Sequence, residues 1–248
     1  RGTMWLVDCG PVSPAYQPGH THCDMLSFEL TVGGRRVVVD TGVYDYEDSE
    51  QRHYARSTRA HNTVAIAGHE QSELWGMFRI GRRARPLRAT IEEDAEGVVF
   101  RGELRGFPTV RGGVLHHREI EHRWSGVFAV RDRVIGVDGL TASSYLHLHP
   151  DLEAVQGAGG IQVLDEQGES VLEVEPDRDT DAAIEPGWYF PQFGVKRRNH
   201  VLVFRARRMA QTLELGYALR FATDPRDWCS RTFARSRPPF RQGTFTPI

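Results

Sequence analysis

Short runs of β-branched and aromatic residues, each closed by Gly, Pro, Asp or Asn, recur along most of this chain and leave little room for helical periodicity. Leu26, Phe28 and Leu30 alternate with Ser27, Glu29 and Thr31, the period-2 pattern of a half-buried strand. Gly33-Gly34 then supplies a hairpin turn, and Val37, Val38 and Val39 form a buried strand ending at Asp40. Further strands are predicted at 63–67, 98–104, 114–123, 127–137, 145–149, 161–164, 171–174, 201–207 and 212–221. A series of this kind builds a sandwich or a barrel. Residues 48–56 read as a short helix or structured loop, 153–160 and 175–183 as polar connections, and 236–248, rich in Pro and Arg, as an irregular tail.

Bulk properties narrow the function. The formal net charge of −2 gives no electrostatic case for nucleic acid. No apolar run reaches the ~20 residues of a membrane-spanning helix. Cys9, Cys23 and Cys229 are odd in number and form no CxxC pair, so free thiols are expected. The chain opens on Arg1, directly before strand-like sequence, and reads as a piece of a longer protein.

Chemistry concentrates in Pro18-Gly19-His20-Thr21-His22-Cys23-Asp24. If this stretch is extended, His20, His22 and Asp24 share one face. Asp40 ends the strand that hairpins back toward them, and His61 opens a later one. Two imidazoles and a carboxylate converging from separate segments suit zinc or a similar divalent ion. Two metal-binding β folds compete at this level. A cupin needs a Glu a few residues after His-x-His, and Glu29 comes too late. A facial-triad oxygenase would be satisfied formally by His22, Asp24 and His61.

The order of several motifs goes further. Gly19-His20-Thr21-His22-Cys23-Asp24-Met25-Leu26-Ser27-Phe28 resembles the Gly-His-x-His-x-Asp-x-Leu-Ser-Phe signature of heparinase II/III-like polysaccharide lyases. Val39-Asp40-Thr41-Gly42-Val43-Tyr44 is similar to that family's second element, and Ser57-Thr58-Arg59-Ala60-His61-Asn62-Thr63 to its third. Gln71-Ser72-Glu73 and Tyr189-Phe190-Pro191-Gln192-Phe193-Gly194 follow in order. The resemblance implies an all-β fold, a large antiparallel β-sandwich occupying 1–248 as a single domain. In the family this sandwich follows an N-terminal α/α toroid, which has no counterpart in this sequence. It further implies that His22, Asp40 and His61 hold a divalent metal, usually Zn2+, and that His20 faces the substrate cleft and is catalytic. The toroid would supply a catalytic Tyr and a group that neutralises the substrate carboxylate. A periplasmic or extracellular location follows from the resemblance alone.

The implied reaction is β-elimination next to a uronic acid. Removing the C5 proton needs neutralisation of the adjacent carboxylate, a base within reach and an acid for the leaving oxygen. Histidine, with an ordinary pKa of about 6.5, suits either proton role. An acidic polysaccharide also needs cations, and Arg56 and Arg59, with Tyr54 beside them, are the expected substrate-binding residues. His116, His117, His122, His147 and His149 have no evident carboxylate partner and are read as structural or minor cleft groups. Two other functions stay open: a non-catalytic carbohydrate-binding or scaffolding sandwich with a structural metal, and a metal-dependent oxygenase or isomerase.

Overall fold

A computed structural model describes residues 2–14 and 16–222, so the expected tail, Trp228 and Cys229 lie outside the described residues. The first strands are β1 (Thr3–Val7), β2 (Phe28–Val32) and β3 (Arg35–Val38), joined as one antiparallel sheet. Phe28, Leu30 and Val32 point inward, as their alternation requires. Gly33 and Gly34, at φ 60° and 90°, make the turn; two successive left-handed residues match the right-handed twist of the flanking strands.

The helix α1 (Glu50–Arg56) follows, capped by Ser49, whose hydroxyl accepts from the Arg52 N–H at 3.0 Å. A 3₁₀ turn at Thr58–Ala60 leads to β4 (Val64–Ile66), then to the small hairpin β5 (Leu74–Trp75) and β6 (Arg79–Ile80). The remaining strands are β7 (Arg85–Glu93), β8 (Gly97–Gly106), β9 (Val114–Arg123), β10 (Val127–Ile135), β11 (Ala142–His147), β12 (Glu153–Gln156), β13 (Ile161–Leu164), β14 (Ser170–Pro176), β15 (Thr180–Gln192), β16 (Val195–Ala206) and β17 (Thr212–Phe221).

Eight of these form one sheet in the order β12-β13-β14-β17-β10-β9-β8-β7, and four form another, β15-β16-β11-β4, with all named pairings antiparallel. The expected all-β sandwich is therefore present. Its core is contributed from both sides: Phe100, Ile120, Phe128 and Val130 pack with Phe28, Leu30, Leu146 and Phe204. Trp5 meets Phe128 edge-on at 5.6 Å, and Phe204 stacks on Tyr217 at 4.0 Å. The segments 153–160 and 175–183, expected as connections, instead contain β12 and the end of β14 with the start of β15. β12 and β15 are edge strands, and an edge needs no continuous apolar run.

One polar network crosses this core. Arg118 of β9 grips Asp132 of β10 through two parallel bonds, Nε to Oδ1 at 2.7 Å and Nη2 to Oδ2 at 2.8 Å. Its Nη2 also donates to Ser144 Oγ of β11, and its Nη1 to the carbonyls of Leu26 and Asn62. His116 completes the set, with Nε2 2.7 Å from Asp132 Oδ1. A buried guanidinium thus ties the large sheet to the small one and to the two segments that carry the histidine cluster. Leu26, whose carbonyl it takes, is left-handed at φ 60°.

Candidate active site and metal centre

Residues 18–27 are not extended, so the shared face expected for His20, His22 and Asp24 does not form. The segment turns twice, with Thr21 N–H donating to Pro18 O and Ser27 N–H to Asp24 O. Side chains from elsewhere hold the coil open: Gln71 accepts from the Met25 N–H and donates to the Met25 carbonyl, both at 3.0 Å, and Arg56 donates to Thr21 O at 3.0 Å. The two histidines part as a result. His22 turns inward, whereas His20 is exposed and meets Tyr46 edge-on at 5.2 Å.

His61 is fully buried, and its Nδ1 lies 2.6 Å from Asp40 Oδ2. The other Asp40 oxygen accepts from the Gly42 N–H at 2.9 Å. The His22 and His61 rings are 5.4 Å apart. Ligand atoms of His22, Asp24 and His61 all fall within 4.8 Å of one another. Of the three expected ligands, Asp40 contacts His61 and the His22 ring lies beside His61, while the group whose ligand atoms converge takes its carboxylate from Asp24 and not Asp40. That three-donor group is the one that the facial-triad reading names. Asp40 is the carboxylate that orients His61.

The electrostatics favour a cation among these groups. Burial and the neighbouring His61 push His22 down to about 3, keeping it neutral. Burial opposes protonation of His61, but Asp40 outweighs it and raises the ring to about 9. Burial would raise Asp40, yet its bond with His61 holds its carboxyl well below the ordinary range. Asp24 is raised by burial. His61 Nε2 is buried with no hydrogen-bond partner. An orphaned polar atom of that kind costs on the order of 1–3 kcal/mol. The neutral His22 ring, the unpartnered Nε2 of His61 and a carboxylate within reach of one another fit a divalent ion, which would take the place of the proton that Asp40 otherwise holds on His61.

Asn62, next to His61, is a buried scaffold residue of the site that spacing alone did not single out. Its amide donates to Phe28 O at 2.8 Å and Val39 O at 2.9 Å, accepts from the His147 N–H at 2.7 Å, and its own N–H reaches Ser27 Oγ at 2.9 Å. One side chain thus ties three segments, at residues 28, 39 and 147, to its own. His147 is buried too, lowered to about 4 by desolvation, with Nε2 3.0 Å from Arg59 O. The carboxylate partners not evident in sequence exist in space: Asp132 for His116, and Glu103 3.3 Å from His117.

The expected substrate residues separate. Arg56 is a correction: it is 1% exposed and spends its guanidinium on the carbonyls of Thr21, Gly76 and Arg79. Arg52 is likewise buried, 3.3 Å from His22 Nε2 and bonded to Gly19 O and Met77 O. Position on α1 decides this, because 52 and 56 are one turn apart and share its buried face. Tyr54 and Arg59 instead line an open groove of about 960 Å³ over the β15-β16-β11-β4 sheet, with Tyr145, Trp188 and Arg198. His20 is not among its lining residues. Cys23 is inert, its thiol pushed up to about 12 by burial.

Residues 1–218 match the model of the heparinase II/III-like C-terminal domain. The chain belongs to the heparinase II/III-like family. Solved structures agree on the fold. A mutant of the heparan sulfate lyase HepC from Pedobacter heparinus superposes with a TM-score of 0.71 at 19% identity, covering 90% of this chain and 34% of that one. The heparinase III BT4657 gene product gives 0.69 at 18%, covering 91% and 34%, and a further heparinase III 0.70 at 17%, covering 88% and 33%. The chain thus spans about a third of the length of these structures. No curated protein matches it. Among the described residues no helix is long and apolar enough to cross a membrane.

Proposed function

We propose that this sandwich is the C-terminal part of a lyase that cleaves an acidic, uronate-containing polysaccharide by β-elimination, with heparan sulfate as the first substrate to test. The reading rests on one observation above the others. His20 stands exposed, two residues from His22 and beside a set of buried imidazoles and half-buried carboxylates. It is the histidine of this cluster that can reach a polymer in solvent.

In the reaction a base takes the C5 proton, the C4–O4 bond breaks, C4 and C5 become doubly bonded, and the leaving O4 is protonated. His20 is assigned one of those two proton transfers. A toroid of the kind found in the family would supply the partner Tyr and the group that neutralises the uronate carboxylate. A divalent ion, zinc by preference, would be held by His22, His61 and Asp24, with Asp40 behind His61. Its chemistry there is that of a crosslink, pinning the 18–27 segment to the start of β4. Asp40 fixes the His61 ring, and Arg52 and Arg56 clamp the backbone on either side of His20. A periplasmic or extracellular setting accords with a polymeric substrate.

The test is elimination by the intact gene product on heparan sulfate, read as new ultraviolet absorbance from the unsaturated uronate. His20→Ala is expected to abolish it while the far-ultraviolet circular dichroism stays unchanged. Elimination that survives His20→Ala removes His20 from the mechanism. Glycan binding without cleavage by the wild type would favour a carbohydrate-binding sandwich instead.

A further inference from the structure

The groove beside α1 carries cations that the fold does not use. Arg198 lies over Trp188, its guanidinium carbon 3.6 Å from the ring centroid, and Lys196, which is not itself a lining residue of the groove, stands 5.0 Å from the same ring. Arg59 sits over Tyr54 at 5.5 Å. Among the described residues none of these three cations has a carboxylate within ion-pair distance, although Arg197 and Arg205 on the same strand pair with Asp151 and Glu185. Two carboxylates of the groove are committed: Glu70 accepts from Thr58, and Glu185 belongs to Arg205. Glu50, on the first turn of α1, is the remaining one.

A guanidinium stacked on an indole keeps its plane fixed and its N–H edge outward, the shape that takes a carboxylate or sulfate through two parallel bonds. The volume, about 960 Å³, is at the upper end of small-ligand pockets, which run to roughly 1,000 Å³, and suits a length of polymer. Contacts link the groove to His20. His20 touches Tyr46; Tyr46 touches Phe193 at the β15–β16 turn; Gly194 N–H donates to Tyr44 O; and Lys196 bridges the Tyr44 and Trp188 rings.

We infer that Trp188, Lys196 and Arg198, with Arg59, form a distal subsite that holds acidic sugar residues of the polymer whose scissile bond lies at His20. This deepens the lyase reading and rests on it for the identity of the polymer. Nothing in it depends on the metal.

Binding decides it. Heparan sulfate hexasaccharide is titrated calorimetrically into the intact gene product, with neutral dextran of equal length as comparison. Arg198→Ala and Trp188→Ala are each expected to weaken hexasaccharide binding about tenfold, the size of one lost charge-assisted contact. Arg88→Ala, an exposed arginine on the edge strand β7, should change nothing. Wild-type affinity in both groove variants overturns the subsite, and so does equal affinity for dextran. Those failures are separable from failure of the lyase reading. If His20→Ala still eliminates, that reading falls, while the effect of Arg198→Ala on binding remains measurable.

Discussion

Asp40 Oδ2 stands 2.6 Å from His61 Nδ1, and that contact leaves Nε2, the other nitrogen of the ring, buried and without a partner. A carboxylate on one side of an imidazole and an open nitrogen on the other is the usual arrangement behind a metal-bound histidine. The site around it is assembled by long side chains that reach backbone atoms, which sets what each substitution should do.

The ion is the first consequence. The intact protein is expected to carry about one zinc per chain by mass spectrometry, lost from His22→Ala and His61→Ala. Asp24→Asn and Asp40→Asn separate ligand from orienting group. A lost ligand should abolish retention, while a lost outer carboxylate typically costs about 10–100-fold in affinity. With Asp24 grouped with both rings and Asp40 on the far nitrogen, Asp24→Asn should be the more severe. Purified wild-type protein that holds no metal after zinc reconstitution defeats the prediction.

Arg56 and Arg59, three residues apart, should behave oppositely. Arg56→Ala strips bonds from three carbonyls in the interior and is expected to cost about 3–5 kcal/mol of stability. Arg59 is exposed over Tyr54, so Arg59→Ala should leave the urea midpoint in place and raise KM. Denaturation curves on both variants check the pair. A stable Arg56→Ala with raised KM would return Arg56 to the substrate site.

Asn62→Asp is nearly isosteric, yet it sets an acceptor against the Phe28 and Val39 carbonyls that the amide now bonds. The expected loss is about 2–4 kcal/mol, read from thermal unfolding. Asn62→Asp with an unchanged midpoint would mean that the four segments are held by other contacts.

How much of this was legible follows burial. Strands with alternating apolar faces, such as β2, or long inner strands, such as β17, can be read directly, because their buried positions carry apolar residues. β7, β12 and β15 are sheet edges, where one side has no partner strand and exposure admits polar residues, so the pattern fades. The histidine cluster is visible as residue types and spacing. Its shape is not, because the coil from 18 to 27 is held by Gln71, Arg56 and Arg118, which arrive from 35 to 92 positions away. Arginine near a histidine motif suggests an anion, and only the structure distinguishes Arg59, on the surface, from Arg56, which serves as internal scaffolding.

The Arg118–Asp132–His116 network sets the acid limit of the fold. Burial lowers His116, and for Asp132 burial works upward but Arg118 outweighs it, so both sit below their ordinary values in the folded chain. Each group therefore binds fewer protons folded than unfolded. Its contribution is complete above the unfolded pKa and is lost as pH falls, beginning near 6.5 for His116 and near 3.9 for Asp132. The urea midpoint should thus decline in two stages on acidification, the first setting in as pH falls below about 6.5. His116→Gln, which has no titrating ring, should make that first stage shallower, the lowered rings at positions 22 and 147 keeping their share of it. Asp132→Asn leaves Arg118 buried beside a neutral amide and should cost about 3–5 kcal/mol at neutral pH, because an unpaired interior charge loses far more than the pair contributes. A midpoint in His116→Gln that falls as steeply as wild type below about pH 6.5 would place the early acid loss elsewhere, with the histidines at positions 22 and 147 the next to substitute.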